Sequence, residues 1–309
     1  MGRALCAVLL TWAAGAWAAR PRVVVVQSSD LAPYHQAAAG FIAEVDADVR
    51  VLTLGSSADA AAALWQQVAK LEPALVFAVG PTSANGAKRG LGSVPVIFGL
   101  VPYYERYGLE GPRVTGVALG GEVGTQLDAL LAVMPRVKRL GILHDPRYST
   151  AAVEAVRGAA KGRGLSVVAL ETDSGPGAER ALKNARGRVD ALLLLADRTV
   201  ASSSVIQAEV AFADAEKIAL VALAPSQVRE GALLSLTPSY LGMGQQAGRL
   251  ANRILHERVD PSALAVSVPE QLELSLSLKA LRRLAGVAAL PMDVLQFSAR
   301  QGYALRVFE

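Results

Sequence analysis

Short apolar runs recur along the chain at Val23–Val26, Val49–Leu54, Leu75–Val79, Val94–Phe98, Val114–Val117, Leu140–Leu143, Ser166–Leu170, Ala191–Leu195, Ala219–Leu223 and Leu233–Leu236. They lack the polar alternation of a strand with one wet face, so they read as parallel strands buried on both sides. Ala-rich stretches with helical spacing lie between them, at Tyr34–Val45, Ala58–Lys70, Gly124–Val133, Thr150–Gly162, Ala178–Arg188, Ser202–Glu216 and Leu241–His256. A β-α-β-α rhythm predicts parallel sheets with right-handed crossovers. One wide sheet, a barrel or two sheets would all fit so many strands, and two interruptions favour two sheets. At Leu109–Gly121 (LEGPRVTGVALGG) Gly and Pro surround a short strand, and at Leu236–Tyr240 (LTPSY) the second series ends. The chain is therefore expected to cross to a second lobe and return through short hinges. Residues 20–117 form the first part of lobe one, 118–236 form lobe two, and 237–309 return to lobe one and cross the hinge again. The tail carries one alternating strand (Leu272, Leu274, Leu276, Leu278) and helical pieces around Lys279–Leu284 and Met292–Gln301.

The first nineteen residues follow a different logic. Arg3 precedes an apolar run from Ala4, and Ala16-Trp17-Ala18 supplies the small-x-small pattern of a signal-peptidase site. The run is short of the roughly twenty residues that a membrane span needs. Residues 1–19 are thus expected to be a cleaved signal peptide, and the mature chain to lie in a periplasm or equivalent extracytoplasmic space. The one cysteine, Cys6, precedes the apolar run, where it does not fit a lipid-attachment site, and leaves with the leader. A content of 52% hydrophobic and 19% charged residues over 309 positions excludes a disordered or collagen-like chain. The formal charge of +4 is scattered, with no block of Lys or Arg, so nucleic acid is not an expected partner.

Enzyme motifs are mostly missing. His35, His144 and His256 do not share metal-ligand spacing, and each reads as a surface or cap residue. No G-x-S-x-G elbow occurs. Gly80–Lys88 (GPTSANGAK) follows a strand but departs from the phosphate-loop spacing. Gly242–Ala247 (GMGQQA) matches G-x-G-x-x-[GA], yet Pro238 and the residues after it part it from its strand. Its small residues read as a helix start packed closely on the sheet. No enzyme activity, cofactor or metal is expected.

Ligands of open α/β sheets collect beyond the carboxyl ends of the strands. Those ends carry Ser28, Ser29 and Tyr34 after the first strand, Thr82 and Ser83 after the third, and Tyr103 after the fourth. In the second block they carry Asp145 with Tyr148 and Ser149, then Asp197, Arg198 and Thr199, then Ser226. Taken singly, Ser, Thr and Asp at such places cap helices. As a set, hydroxyls, amides and rings without a nucleophile suit a cleft that hydrogen-bonds a small polar molecule. Asp197-Arg198 is either a local ion pair or a handle for an ammonium and a carboxylate.

The chain also resembles the substrate-binding proteins of ABC transporters, in the branch that includes tryptophan- and tyrosine-binding components. The resemblance runs from about Arg22 to Ala299. It is carried by Leu75–Gly80 (LVFAVG), Val94–Phe98 (VPVIF), Val137–Leu143 (VKRLGIL), Val189–Thr199 (VDALLLLADRT), Gly242–Gly248 (GMGQQAG) and Leu276–Lys279 (LSLK). It implies a type I periplasmic-binding fold: two Rossmann-like lobes with parallel sheets, joined by hinge strands and closing on a small, amino-acid-like ligand. It implies a membrane permease and its ATPase as partners. It also implies Ser28, Ser29, Thr82, Ser83, Asp197 and Thr199 as cleft residues. Many members have Asn where this chain has Arg198, which points to a more acidic ligand. An alternative use of the same fold is a sensing module that presents its closed form to a membrane receptor or kinase.

Overall fold

The computed structural model describes residues 20–102, 104–119, 123–287 and 289–309. The expected leader and Tyr103 lie outside them. Lobe one begins with β1 (Arg22–Gln27), α1 (Ala32–Glu44), β2 (Asp48–Thr53), α2 (Ala58–Lys70), β3 (Leu75–Val79), α3 (Pro81–Gly90), β4 (Val96–Pro102) and β5 (Val114–Leu119). Lobe two follows as α4 (Val123–Val133), β6 (Arg139–His144), α5 (Pro146–Lys161), β7 (Ser166–Glu171), α6 (Gly175–Asn184), β8 (Ala191–Leu193), α7 (Ser203–Glu216), β9 (Ala219–Ala222), α8 (Pro225–Arg229) and β10 (Leu234–Pro238). The chain then forms α9 (Tyr240–Leu255), β11 (Leu272–Ser277), α10 (Leu278–Ala285), α11 (Met292–Gln301) and β12 (Ala304–Phe308).

These strands make two sheets, as the interruptions predict. The first has the order β2-β1-β3-β4-β5 and the second β12-β11-β10-β9-β8-β6-β7. Each sheet is buried on both faces, which is why its strands read as unbroken apolar runs. In β1, Val23 and Val25 join the core under α1 and α9, while Val24 and Val26 join the opposite core with Val68 and Phe98. The second sheet divides in the same way, Leu140 and Ile142 facing one core and Leu143 and Leu192 the other. Phe41 and Phe77 stack at 4.6 Å between ring centroids and tie α1 to its sheet.

Strand direction departs from expectation in one place. β11 pairs antiparallel with β10, from Leu234 opposite Leu276 to Pro238 opposite Leu272. The chain has by then returned to lobe one as α9 and re-enters the second sheet from the hinge side. The alternation read in the tail fits this strand: Leu272, Leu274 and Leu276 pack into the core, and Ser277 ends it by capping α10, accepting from the Ala280 amide at 3.1 Å. The return segment is pinned on the lobe-one side, where the Ser267 carbonyl accepts from the Ala118 amide at 2.9 Å. On the lobe-two side the Ser239 amide donates to the Gln271 carbonyl at 2.9 Å.

The Gly242–Gly248 motif packs on the sheet through Met243 and Ala247, as read from the sequence, while Gly244 and Gly248 face α1. A Cβ at Gly244 would lie 2.0 Å from the Ala37 carbonyl oxygen, and one at Gly40 would lie 2.0 Å from that of Leu241. Glycine on both helices lets the backbones approach closely enough to seat α9 on lobe one. No helix among the described residues is long and apolar enough to cross a membrane.

Candidate functional site

The carboxyl ends of both sheets carry most of the predicted residues, and two hydrogen-bonded banks result. In lobe one, β1 and β3 are neighbours, which sets the turn after β1 against the start of α3. The Ser83 amide donates to Ser28 Oγ at 2.9 Å, Ser28 Oγ donates to Ser83 Oγ at 3.1 Å, and Ser83 Oγ donates to the Val79 carbonyl at 2.8 Å. Gly80 makes this possible, because its φ of +93° turns the chain sharply into α3. A Cβ there would stand 2.7 Å from both Ser28 Oγ and the Tyr34 hydroxyl. Tyr34 thus leans over the turn, half-buried, and burial raises its hydroxyl pKa. Ser83 is wholly buried and acts as the latch, whereas Ser28 and Ser29 are partly exposed and Thr82 is exposed.

In lobe two the turn after β8 is tied to the turn after β6. Asp197 is only 2% exposed, and its carboxylate accepts from four donors. These are the Asp145 amide at 3.1 Å, Ser149 Oγ at 2.5 Å, the Thr199 amide at 2.7 Å and the Val200 amide at 3.4 Å. Four donors fill the acceptor capacity of one carboxylate. Of the two alternatives for Asp197-Arg198, neither a mutual ion pair nor a spare acceptor is present. Thr199 Oγ1 donates to Asp145 at 2.6 Å, and Asp145 caps α5 through the Arg147 amide at 3.0 Å. The Arg147 guanidinium grips the same carboxylate at 2.6 Å and holds its pKa far below the usual carboxylate range. Arg198 is exposed, with its guanidinium 5.7 Å from the centroid of the Tyr148 ring, which Arg147 also approaches at 5.5 Å. His144 is not the surface residue expected, being 3% exposed at the end of β6.

Ser226 lies apart from both banks, in a cavity of about 550 Å³ that both lobes line. Lobe one contributes Pro33 and Gln36 from the start of α1, and lobe two contributes Ser226 and Arg229 from α8. The hinge closes the cavity with Thr237, Ser239 and Tyr240, and Glu273 and Arg306 form its charged side. Glu273 pairs with Arg306 at 3.3 Å, and the Tyr240 hydroxyl pKa is raised first by burial and then by the Glu273 charge. The volume falls within the range of small-molecule pockets. Sequence reasoning singled out Ser226 here and noted LTPSY as a hinge. Glu273 and Arg306 gave no local signal, because β11 and β12 bring them in from the end of the chain.

Residues 47–295 match the family described as ABC transporter substrate binding protein. The chain is 25% identical over 192 residues to a tyrosine-binding protein of Clostridioides difficile (strain R20291). That alignment covers 59% of this chain and 54% of the relative, so the chain spans about half of that protein's length. Among solved structures, it resembles the ligand-free, open form of a substrate-binding protein with adhesive properties from Clostridium difficile. The TM-score is 0.78 at 18% identity, covering 94% of this chain and all of that one. It also resembles an ABC domain from Streptococcus pneumoniae in complex with L-Trp, with a TM-score of 0.65 at 20% identity over 94% of this chain and all of the other. These two likenesses bear out the two-lobed periplasmic-binding fold. With the family match spanning most of its length, the chain belongs to the ABC transporter substrate-binding protein family.

Proposed function

We propose that this protein is the extracytoplasmic solute-binding component of an ABC import system and holds a small amino-acid-like ligand between its lobes. The observation that carries the reading is the cavity of about 550 Å³ lined from both lobes beside the hinge. Apart from the cavity, the strand ends supply hydroxyls, a ring and a cation through Ser28, Ser29, Tyr34 and Thr82 on one lobe and Arg198 and Thr199 on the other. A solute that touches both banks favours the closed arrangement by the difference in its affinity for the two states. In this reading the chain is exported through the leader over residues 1–19 and delivers its solute to a membrane permease driven by an ATPase, a role that the family match supports. Asp197 and Ser83 serve in this reading as supports that fix the banks.

Two measurements test the reading. Native mass spectrometry of protein isolated from its own producing cells is expected to reveal a co-purified small molecule. Calorimetric titration with the twenty amino acids is expected to give saturable one-to-one binding for a subset of them. A chain that binds none of the twenty and carries no small molecule contradicts the proposal.

A further inference from the structure

The interlobe cavity ends at the hinge on two groups that the protein itself leaves unused. Along β10, Leu234 and Leu236 pack into one core of the second lobe, so strand alternation turns Thr237 to the other side of the sheet. Thr237 stands there opposite Glu273 in the antiparallel ladder of β10 and β11, and both residues line the cavity. Thr237 is 6% exposed, and its hydroxyl has no hydrogen-bond partner among the described residues. Glu273 receives Ser275 Oγ at 3.2 Å and Arg306 at 3.3 Å, both on Oε1, so Oε2 has no donor among the described residues. The nearby Ser239 hydroxyl is already engaged, accepting from the Gly242 amide at 3.1 Å.

Water can serve both groups while the lobes are apart. When the lobes close on a solute that water leaves, and a buried hydroxyl or carboxylate oxygen without a partner is costly. A carboxylate oxygen only accepts, and a hydroxyl accepts as well as donates, so the group that can serve both is a donor. A carboxylate at this end of the solute would meet the Glu273 charge, and an ammonium or guanidinium would meet Arg229 and Arg306 on the same walls. A neutral N–H or O–H group meets neither penalty. We infer that the solute of this cleft carries a side chain ending in an uncharged hydrogen-bond donor, an amide or a hydroxyl, and that Thr237 selects for it, with Glu273 as the second acceptor. The inference rests on the reading that an amino-acid-like solute binds between the lobes, and it names the class of that solute.

The test is calorimetric titration with pairs matched in shape: L-glutamine and L-methionine, L-threonine and L-valine, L-tyrosine and L-phenylalanine, with L-glutamate and L-lysine as charged counterparts. A donor-bearing member is expected to bind about ten- to a hundredfold more tightly than its donor-free partner, the range for a hydrogen bond to a charged group. The glutamine arm tells an amide from the hydroxyls of threonine and tyrosine. Thr237→Val keeps the shape and loses the hydroxyl, and is expected to cut that preference by about three- to tenfold. It should not lower the melting temperature of the ligand-free protein, because the hydroxyl it removes has no partner there. Thr237→Ser keeps the hydroxyl and is expected to keep the preference. Donor-free or charged members that bind as tightly as the donor-bearing ones, or a preference that Thr237→Val leaves intact, overturn the inference and leave the amino-acid reading standing. A Thr237→Val protein that melts lower and binds every member equally more weakly makes Thr237 a structural residue and overturns it too. If none of the twenty amino acids binds, the amino-acid reading fails and takes this inference with it.

Discussion

Replacing Asp197 by Ala separates a supporting role for this residue from a ligand-contacting one. The carboxylate accepts from three backbone amides and the Ser149 hydroxyl, all on its own lobe, and is almost wholly buried. The hydroxyl can rotate to another acceptor, and the Val200 contact at 3.4 Å is weak. The Asp145 and Thr199 amides are then the donors left without a partner. Each buried, unsatisfied donor costs about 1–3 kcal/mol, so the pair predicts a loss of about 2–6 kcal/mol. At about 2–4 °C per kcal/mol for chains of this size, the ligand-free protein should melt roughly 4–24 °C lower. The assay is thermal and urea unfolding of the ligand-free protein by circular dichroism, with affinity measured in parallel for whichever of the twenty amino acids binds. Asp197→Asn keeps one oxygen and should lose less. A melting temperature within about 2 °C of the parent, together with a large drop in affinity, would refute the reasoning and make Asp197 a ligand handle.

Three further outcomes follow from the packing. Glu209 on α7 is 1% exposed, its carboxyl makes no hydrogen bond or ion pair among the described residues, and burial raises its pKa well above the ordinary value. The folded state then holds a proton that the unfolded chain releases as pH rises past the ordinary glutamate range, so stability falls with pH there. Glu209→Gln should therefore stabilise the protein at pH 7 by about 1–3 kcal/mol, with the gain vanishing near pH 4 in unfolding curves taken across that window. Gly80→Ala should destabilise by about 1–3 kcal/mol, because φ is +93° and the new methyl meets Ser28 and Tyr34; calorimetry should also report weaker ligand binding. Gly244→Ala drives a methyl into the Ala37 carbonyl and should cost about 3 kcal/mol in urea unfolding by forcing α9 off α1.

Much of the fold was legible because both faces of each sheet are buried, so runs such as Val23–Val26 and Leu75–Val79 marked strands without help from turns. Two elements were hidden by weak local pattern. β12 has only exposed and half-buried positions at the rim of its sheet and lacks the apolar run of a central strand. α3 holds Pro, Thr, Ser, Asn and Gly in its first turns, and is a helix because Gly80 turns the chain and Pro81 presets its first φ. The glycine motif of α9 was visible, but its partner, Gly40 on α1, lies two hundred residues earlier and only the fold pairs them. At the candidate site, strand-end position singled out Ser28, Ser83, Asp197 and Thr199. It did not reveal that Ser83 is a buried latch, or that Asp197 is filled by Asp145 and Ser149 some fifty residues away. Those roles depend on which strands are neighbours, which periodicity does not encode.

The most direct test of the two-lobed clamp is small-angle X-ray scattering of the protein alone and saturated with the tightest-binding of the twenty amino acids. Closure on a solute held by both lobes predicts a smaller radius of gyration and a shorter maximum dimension in the bound sample. Saturated binding with an unchanged scattering profile would contradict it.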